Sequence, residues 1–152
     1  VEKAQTTAIS RSELLEKIRL LPFDESIVIF ESCFSGLTAK GENLLPNASA
    51  SIGIQLHNPL LAKDNSAVFS ASGPNQLSSW LPSYGCSLYT FHLLQAWKDI
   101  ALNEASNSIE SVQQILSEQE GVSGKAMRLY SREQIPQLQT NAFEMPLIRN
   151  KN

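Results

Sequence analysis

The apolar run Ile27-Val28-Ile29-Phe30, preceded by Pro22 and the acidic Asp24-Glu25, constrains this chain more than any other segment. Four β-branched or aromatic residues in a row predict a strand buried on both faces, as in a parallel sheet. The segment that follows is Glu31-Ser32-Cys33-Phe34-Ser35-Gly36, which sets a thiol at the strand's carboxyl end. Open α/β sheets put their chemistry at that edge, where loops converge on a crevice while the strands hold their roots rigidly. Cys33 is therefore a candidate nucleophile. Ser35 and Gly36 fit the same reading, since small residues let backbone N–H groups approach a substrate carbonyl and stabilise its oxyanion. The competing reading makes Cys33 a small buried hydrophobe, the usual state of a free thiol, and the rest of the chain has to decide between the two.

The remaining elements alternate as α/β architecture requires. Ser10-Arg11-Ser12-Glu13 has the capping-box spacing and opens a helix with Leu14, Leu15, Ile18 and Leu21 on one side, ended by Pro22. A second buried strand is predicted over 67–72, stopped by Gly73-Pro74. A helix over 87–102 follows, with Leu88, Phe91, Leu94 and Trp97 as its core stripe, and another, capped near Ser108, carries Ile109, Val112, Ile115 and Leu116. The tail offers a short strand at 127–130 and segments punctuated by Pro136 and Pro146. Between the two strands, 37–66 is rich in Asn, Ser, Ala and Pro. A connection that long is usually functional or mobile, so it reads as an active-site loop or activation segment, with Lys40 and Lys63 as candidate self-cleavage points, against an ordinary exposed insertion.

Composition removes several classes of function. A hydrophobic fraction of 42% over 152 residues suits one globular domain, or a large part of one. Net charge −3 without a basic cluster gives no footprint for nucleic acid, and no apolar run approaches the roughly 20 residues that span a bilayer. The two cysteines form no disulfide framework, and a free thiol suits a reducing cytoplasm. No zinc-like spacing of Cys and His is present, so neither a metal nor a cofactor is expected.

The motif Glu31-Ser32-Cys33-Phe34-Ser35-Gly36 resembles the nucleophile strand end of the caspase-like cysteine peptidases, the group of caspases, metacaspases and bacterial orthocaspases. The match continues in order through Ala67-Val68-Phe69-Ser70-Ala71-Ser72-Gly73-Pro74-Asn75-Gln76, similar to the next core strand and its substrate-lining loop, then Trp80, Tyr84-Gly85-Cys86-Ser87-Leu88-Tyr89-Thr90-Phe91-His92-Leu93-Leu94 and Gln134-Ile135-Pro136-Gln137. It covers most of residues 10 to 148. The resemblance implies a three-layer αβα sandwich around a mostly parallel sheet, with residues 1–152 supplying the C-terminal part of the peptidase domain. It further implies Cys33 as nucleophile, Ser70, Ala71 and Ser72 as an edge to which an extended substrate adds as a strand, and Trp80 as the wall of one subsite. Glu31, where metacaspase-like members usually carry Asp, would hold an Arg or Lys side chain before the scissile bond, with Phe34, Trp80 and Leu81 as the lining of an alternative apolar subsite.

A thiolate peptidase needs an imidazole partner. In the resembled family it ends the strand before the nucleophile strand, but this chain has only His57 and His92, both after Cys33. The expectation is a split enzyme: the histidine comes from another chain or from a precursor segment ahead of Val1 that stays docked. The alternative is an inactive caspase-like scaffold that binds peptides without cutting them.

Overall fold

The computed structural model describes residues 9–31, 58–73, 76–102 and 107–147. Helix α1 (Arg11–Arg19) starts where the capping spacing places it, with the Glu13 N–H donating to Ser10 Oγ at 3.1 Å. It ends at Leu20, two residues before Pro22, which cannot continue a helix. Its buried stripe is narrower than the periodicity predicts. Leu15 alone is fully buried, whereas Leu14 and Leu21 are exposed.

Strand β1 (Ser26–Phe30) pairs in parallel with β2 (Ser66–Ser70), Ile27 facing Ala67 and Phe30 facing Ser70. Chain order then gives a small antiparallel ribbon, β3 (Trp80–Leu81) and β4 (Cys86–Ser87), joined by a 3-10 turn that Gly85 closes in the left-handed region at φ 63°. Helices α2 (Leu88–Leu102), α3 (Ile109–Ser117) and α4 (Val122–Tyr130) follow, and β5 (Gln137–Thr140) returns antiparallel to the other side of β2. The described sheet is therefore β1-β2-β5, one parallel and one antiparallel pair, mixed where a mostly parallel sheet was expected.

Every residue of β2 is buried, and its alternating side chains feed two separate cores. Ala67 and Phe69 enter a cluster with Leu88, Leu93 and Ala96 of α2, Val112 and Leu116 of α3, and Ala126 of α4. Val68 points the other way, to Leu15 of α1, Leu60 and the partly buried Val28 and Phe30. Helices thus cover both faces of the sheet, and the α/β class follows.

Three details differ from the sequence reading. β1 is not buried on both faces: Ile27 and Ile29 remain 36% and 38% exposed. They share the face of Ala67 and Phe69, but the cluster beneath α2–α4 includes no residue of β1. The core stripe of α2 is Leu88, Tyr89, Leu93, Ala96 and Ile100, rotated from the predicted one, so Leu94 is exposed while Phe91 packs its ring on Tyr84 at 4.5 Å. Residues 127–130 are the last turn of α4 and not a strand, because four residues are too few for periodicity to separate the two states.

The turn between α3 and α4 brings backbones close together. A Cβ added at Gly124 would stand well inside van der Waals contact of the Gln119 carbonyl oxygen. Gly124→Ala is therefore expected to destabilise the protein by about 2 kcal/mol despite its better helix propensity. Urea unfolding measures this, and an unchanged midpoint would contradict it.

Candidate functional site at the carboxyl ends of the parallel strands

The parallel pairing runs one residue past β2, since the Ala71 N–H donates to Phe30 O at 3.0 Å. Glu31 thus follows β1 beside Ala71. Glu31 is the last described residue on this side, and Cys33, Ser35, Gly36, Phe34, Lys40 and His57 lie outside the described residues. Glu31 is exposed, and its carboxylate accepts a hydrogen bond from the Thr90 hydroxyl. Thr90 is itself fixed. It sits in the first turn of α2, where its N–H donates to Ser87 Oγ at 2.9 Å in an N-cap bond, while the Leu88 N–H donates to Ser79 O at 2.8 Å. The neighbouring Tyr89 is fully buried, and among the described residues its hydroxyl has no hydrogen-bond partner. Burial first, and the negative charge of Glu31 second, push its phenol well above the usual tyrosine range.

The segment leaving β2 is held by polar side chains, two of them, Arg132 and Gln134, from after α4. Gln134, with no exposed surface, accepts from the Ser79 N–H at 2.9 Å and donates through Nε2 to Ala71 O at 3.0 Å. Gln76 Oε1 accepts from the Gly73 N–H at 3.1 Å and the Ile135 N–H at 2.7 Å, and Arg132 donates to Ser79 Oγ at 3.0 Å. The sequence reading set Gln76 at the end of a substrate-lining loop and Gln134 in its Gln-x-Pro-Gln setting but gave neither, nor Arg132, this clamping role.

These bonds change the roles of Ser70, Ala71 and Ser72. Ser70 pairs with Phe30 on one side and Gln137 on the other. Both backbone groups of Ala71 are used, and Ser72 Oγ donates to Gln76 O at 3.2 Å. All three residues are buried, so none offers an edge to an added strand. Among the described strands, β1 has its outer edge unpaired.

Trp80 is 56% exposed, and its carbonyl accepts a hydrogen bond from the Tyr130 hydroxyl. It pairs across the ribbon with Ser87, the residue that caps α2, which links it through Thr90 to Glu31. Leu81 faces Cys86 in the same ribbon. Lys63 is tied to the end of α1, donating to Leu21 O at 2.5 Å with its ammonium 3.7 Å from the centre of the Phe23 ring. A cavity of about 490 Å³ lies elsewhere, along β5, lined by Gln113, Ile135, Pro136, Leu138 and Phe143. Among the described residues, no group of three or more His, Cys, Asp and Glu could hold a metal ion, and no helix is long and apolar enough to cross a membrane.

His92 follows Thr90 by two residues, roughly 200° around the helix, so it faces away from Glu31. Burial lowers its pKa, the Lys125 charge lowers it further, and Glu120 opposes both. A histidine whose folded pKa is depressed contributes stability that is present above its unfolded pKa, about 6.5, and lost as pH falls through the folded value. Stability should therefore decline below about pH 6.5 with a component that His92→Gln removes. Denaturant midpoints across pH 5 to 7.5 test this, and identical profiles would contradict it.

Replacing Gln134 by Leu keeps the volume but strands the Ser79 N–H and the Ala71 carbonyl, at roughly 1–3 kcal/mol for each buried orphan. Gln134→Leu should lower stability by about 3 kcal/mol in urea unfolding, and a loss below about 0.5 kcal/mol would show that the clamp does not hold this loop. No family model, curated protein or solved structure matches this chain, so its functional reading rests on the geometry of this strand edge.

Proposed function

We propose that this chain is the nucleophile-bearing part of a caspase-like cysteine endopeptidase that acts in the cytoplasm and cleaves after Arg or Lys. The observation that carries the reading is the register at the sheet's carboxyl edge. The parallel β1 and β2 end side by side, and Glu31 follows β1 beside Ala71, bonded to Thr90 in the capped first turn of α2, two positions before Cys33 in the sequence. Helices on both faces of the sheet are compatible with a three-layer arrangement of which this chain supplies part. The outer edge of β1, unpaired among the described strands, and its half-open Ile27 and Ile29 suit a further strand from a histidine-bearing chain or precursor segment.

In this reading the Cys33 thiolate attacks the peptide carbonyl, and N–H groups around Ser35, Gly36 and the glycine beside the partner histidine stabilise the tetrahedral oxyanion. The imidazolium gives its proton to the leaving amine as the C–N bond breaks, and water, deprotonated by the same imidazole, hydrolyses the thioester. A cationic side chain before the scissile bond rests near Glu31, and Trp80 walls a neighbouring subsite. The placement of His92 on the far side of α2 favours the second reading, an inactive scaffold, if no external histidine completes the site.

Fluorogenic peptides bearing Arg, Lys, Asp or Leu before the reporter, incubated with the complete protein, decide between these readings. Turnover should favour Arg and Lys and fall at least about a thousandfold in Cys33→Ala. Turnover that survives this substitution excludes the mechanism, and equal cleavage of Asp and Arg peptides removes Glu31 from the subsite.

A further inference from the structure

We propose that the outer edge of β5 and the groove beside it form a docking site for an extended segment of a partner protein, one that carries aliphatic and cationic side chains and adds to the sheet as a strand. The inference does not depend on the peptidase reading. β5 (Gln137–Thr140) ends the described sheet on the side away from β1, and among the described strands it pairs only with β2. The direction of its backbone groups follows from the register. The Asn141 N–H donates to Ser66 O at 3.3 Å, and antiparallel pairing alternates, so Gln139 and Gln137 also turn toward β2 while Leu138 and Thr140 turn outward. None of the residues of β5 is charged or Pro, the usual means by which a protein blunts such an edge.

The cavity of about 490 Å³ lies against this strand, and its lining from α3, Glu110 and Gln113, flanks the buried Val112 and Leu116 of the same helix. It therefore opens at the border of the sheet and not into the core. Two hydrogen bonds hold its width. At one end Gln113 Nε2 donates to Pro136 O at 2.8 Å, and at the other the Glu110 N–H donates to Phe143 O at 3.3 Å. A groove formed before its ligand arrives lowers the ordering cost of binding. A strand edge beside such a groove suits an extended peptide, which takes main-chain bonds from the edge and side-chain contacts from the groove. Ile135 and Phe143, 42% and 52% exposed, offer apolar walls to an aliphatic side chain. Among the described residues Glu110 is the one charged group of the lining, and Glu133 and Glu144, each within two residues of a lining position, are exposed as well. Arg128 and Arg132 are engaged elsewhere, by Glu120 and by Ser79. A second copy of the chain would set carboxylate against carboxylate on this edge, whereas a Lys or Arg of a partner complements it.

The probe is the peptide acetyl-Lys-Val-Thr-Val-Thr-Lys-amide, titrated into the complete protein carrying Cys33→Ala so that no turnover consumes it, with backbone amide shifts read by heteronuclear NMR. The amides of Leu138 and Thr140 should shift most. Glu110→Gln should weaken binding about threefold, Phe143→Ala about fivefold, and exchange of both peptide Lys residues for Glu should weaken it further than either. Methylating the amide nitrogens of both Val, or of both Thr, separates strand addition from capture of side chains alone. One set should abolish binding and the other spare it, because only alternate N–H groups of an added strand face β5. Equal effects from the two sets, binding that the Glu-for-Lys peptide retains in full, shifts confined to Glu31 and Thr90, or no shift at Leu138 and Thr140 with millimolar peptide each overturn the inference. So do shifts at this edge that grow with protein concentration in the absence of peptide, which would seat a second copy there.

Discussion

The structure depends on the complete burial of β2. Ser66–Ser70 has no solvent-facing side, pairing with β1 on one edge and β5 on the other, and its side chains alternate between two cores. Each full burial of a Phe or Val in that strand contributes roughly 1.5–3 kcal/mol, and the same contacts dock α1 on one face and α2–α4 on the other. Because β2 is fixed on all sides, the segments leaving its carboxyl end and that of β1 leave from rigid roots. Any chemistry at that edge inherits its geometry from this strand.

The loop beyond β2 owes its course to polar side chains and not to apolar ones. Gln134 and Gln76 replace backbone partners that the sheet no longer provides, so the carbonyl of Ala71 and the N–H groups of Gly73 and Ser79 are satisfied while the chain turns. That turn delivers the chain to Trp80 and to the cap of α2 at Ser87, where Thr90 reaches across to Glu31. A strand end, a clamped loop and a helix N-terminus are thereby bound into one surface.

Much of this architecture was legible in the sequence wherever a strong local signal coincided with burial. Ser10 and Ser108 cap the helices they were expected to cap, and the apolar runs near 27 and 67 are strands that pair in parallel. The misreadings share a cause, since local pattern does not encode which neighbour covers a residue. Ile27 and Ile29 look like core but sit on the edge strand of the described sheet, and the face of α2 is displaced from the Phe91 and Leu94 stripe by packing against α3 and α4. β5, reading Gln-Leu-Gln-Thr, has no apolar run and exists because β2 offers it an edge. Of the candidate site, Glu31 was visible by its spacing to Cys33, whereas Thr90, 59 residues away, could be linked to it only through the fold.

The central claim is that the thiol after β1 reacts with a substrate oriented by Glu31. The most direct measurement is the mass spectrum of the complete protein after incubation with a peptidyl arginine acyloxymethyl ketone, which alkylates a thiolate only when its peptide is seated. The account predicts one covalent adduct, mapped to Cys33, competed by an Arg peptide and spared by a citrulline one. An adduct on Cys86, which sits half-buried in β4 opposite Leu81, or equal labelling of both cysteines, would contradict it.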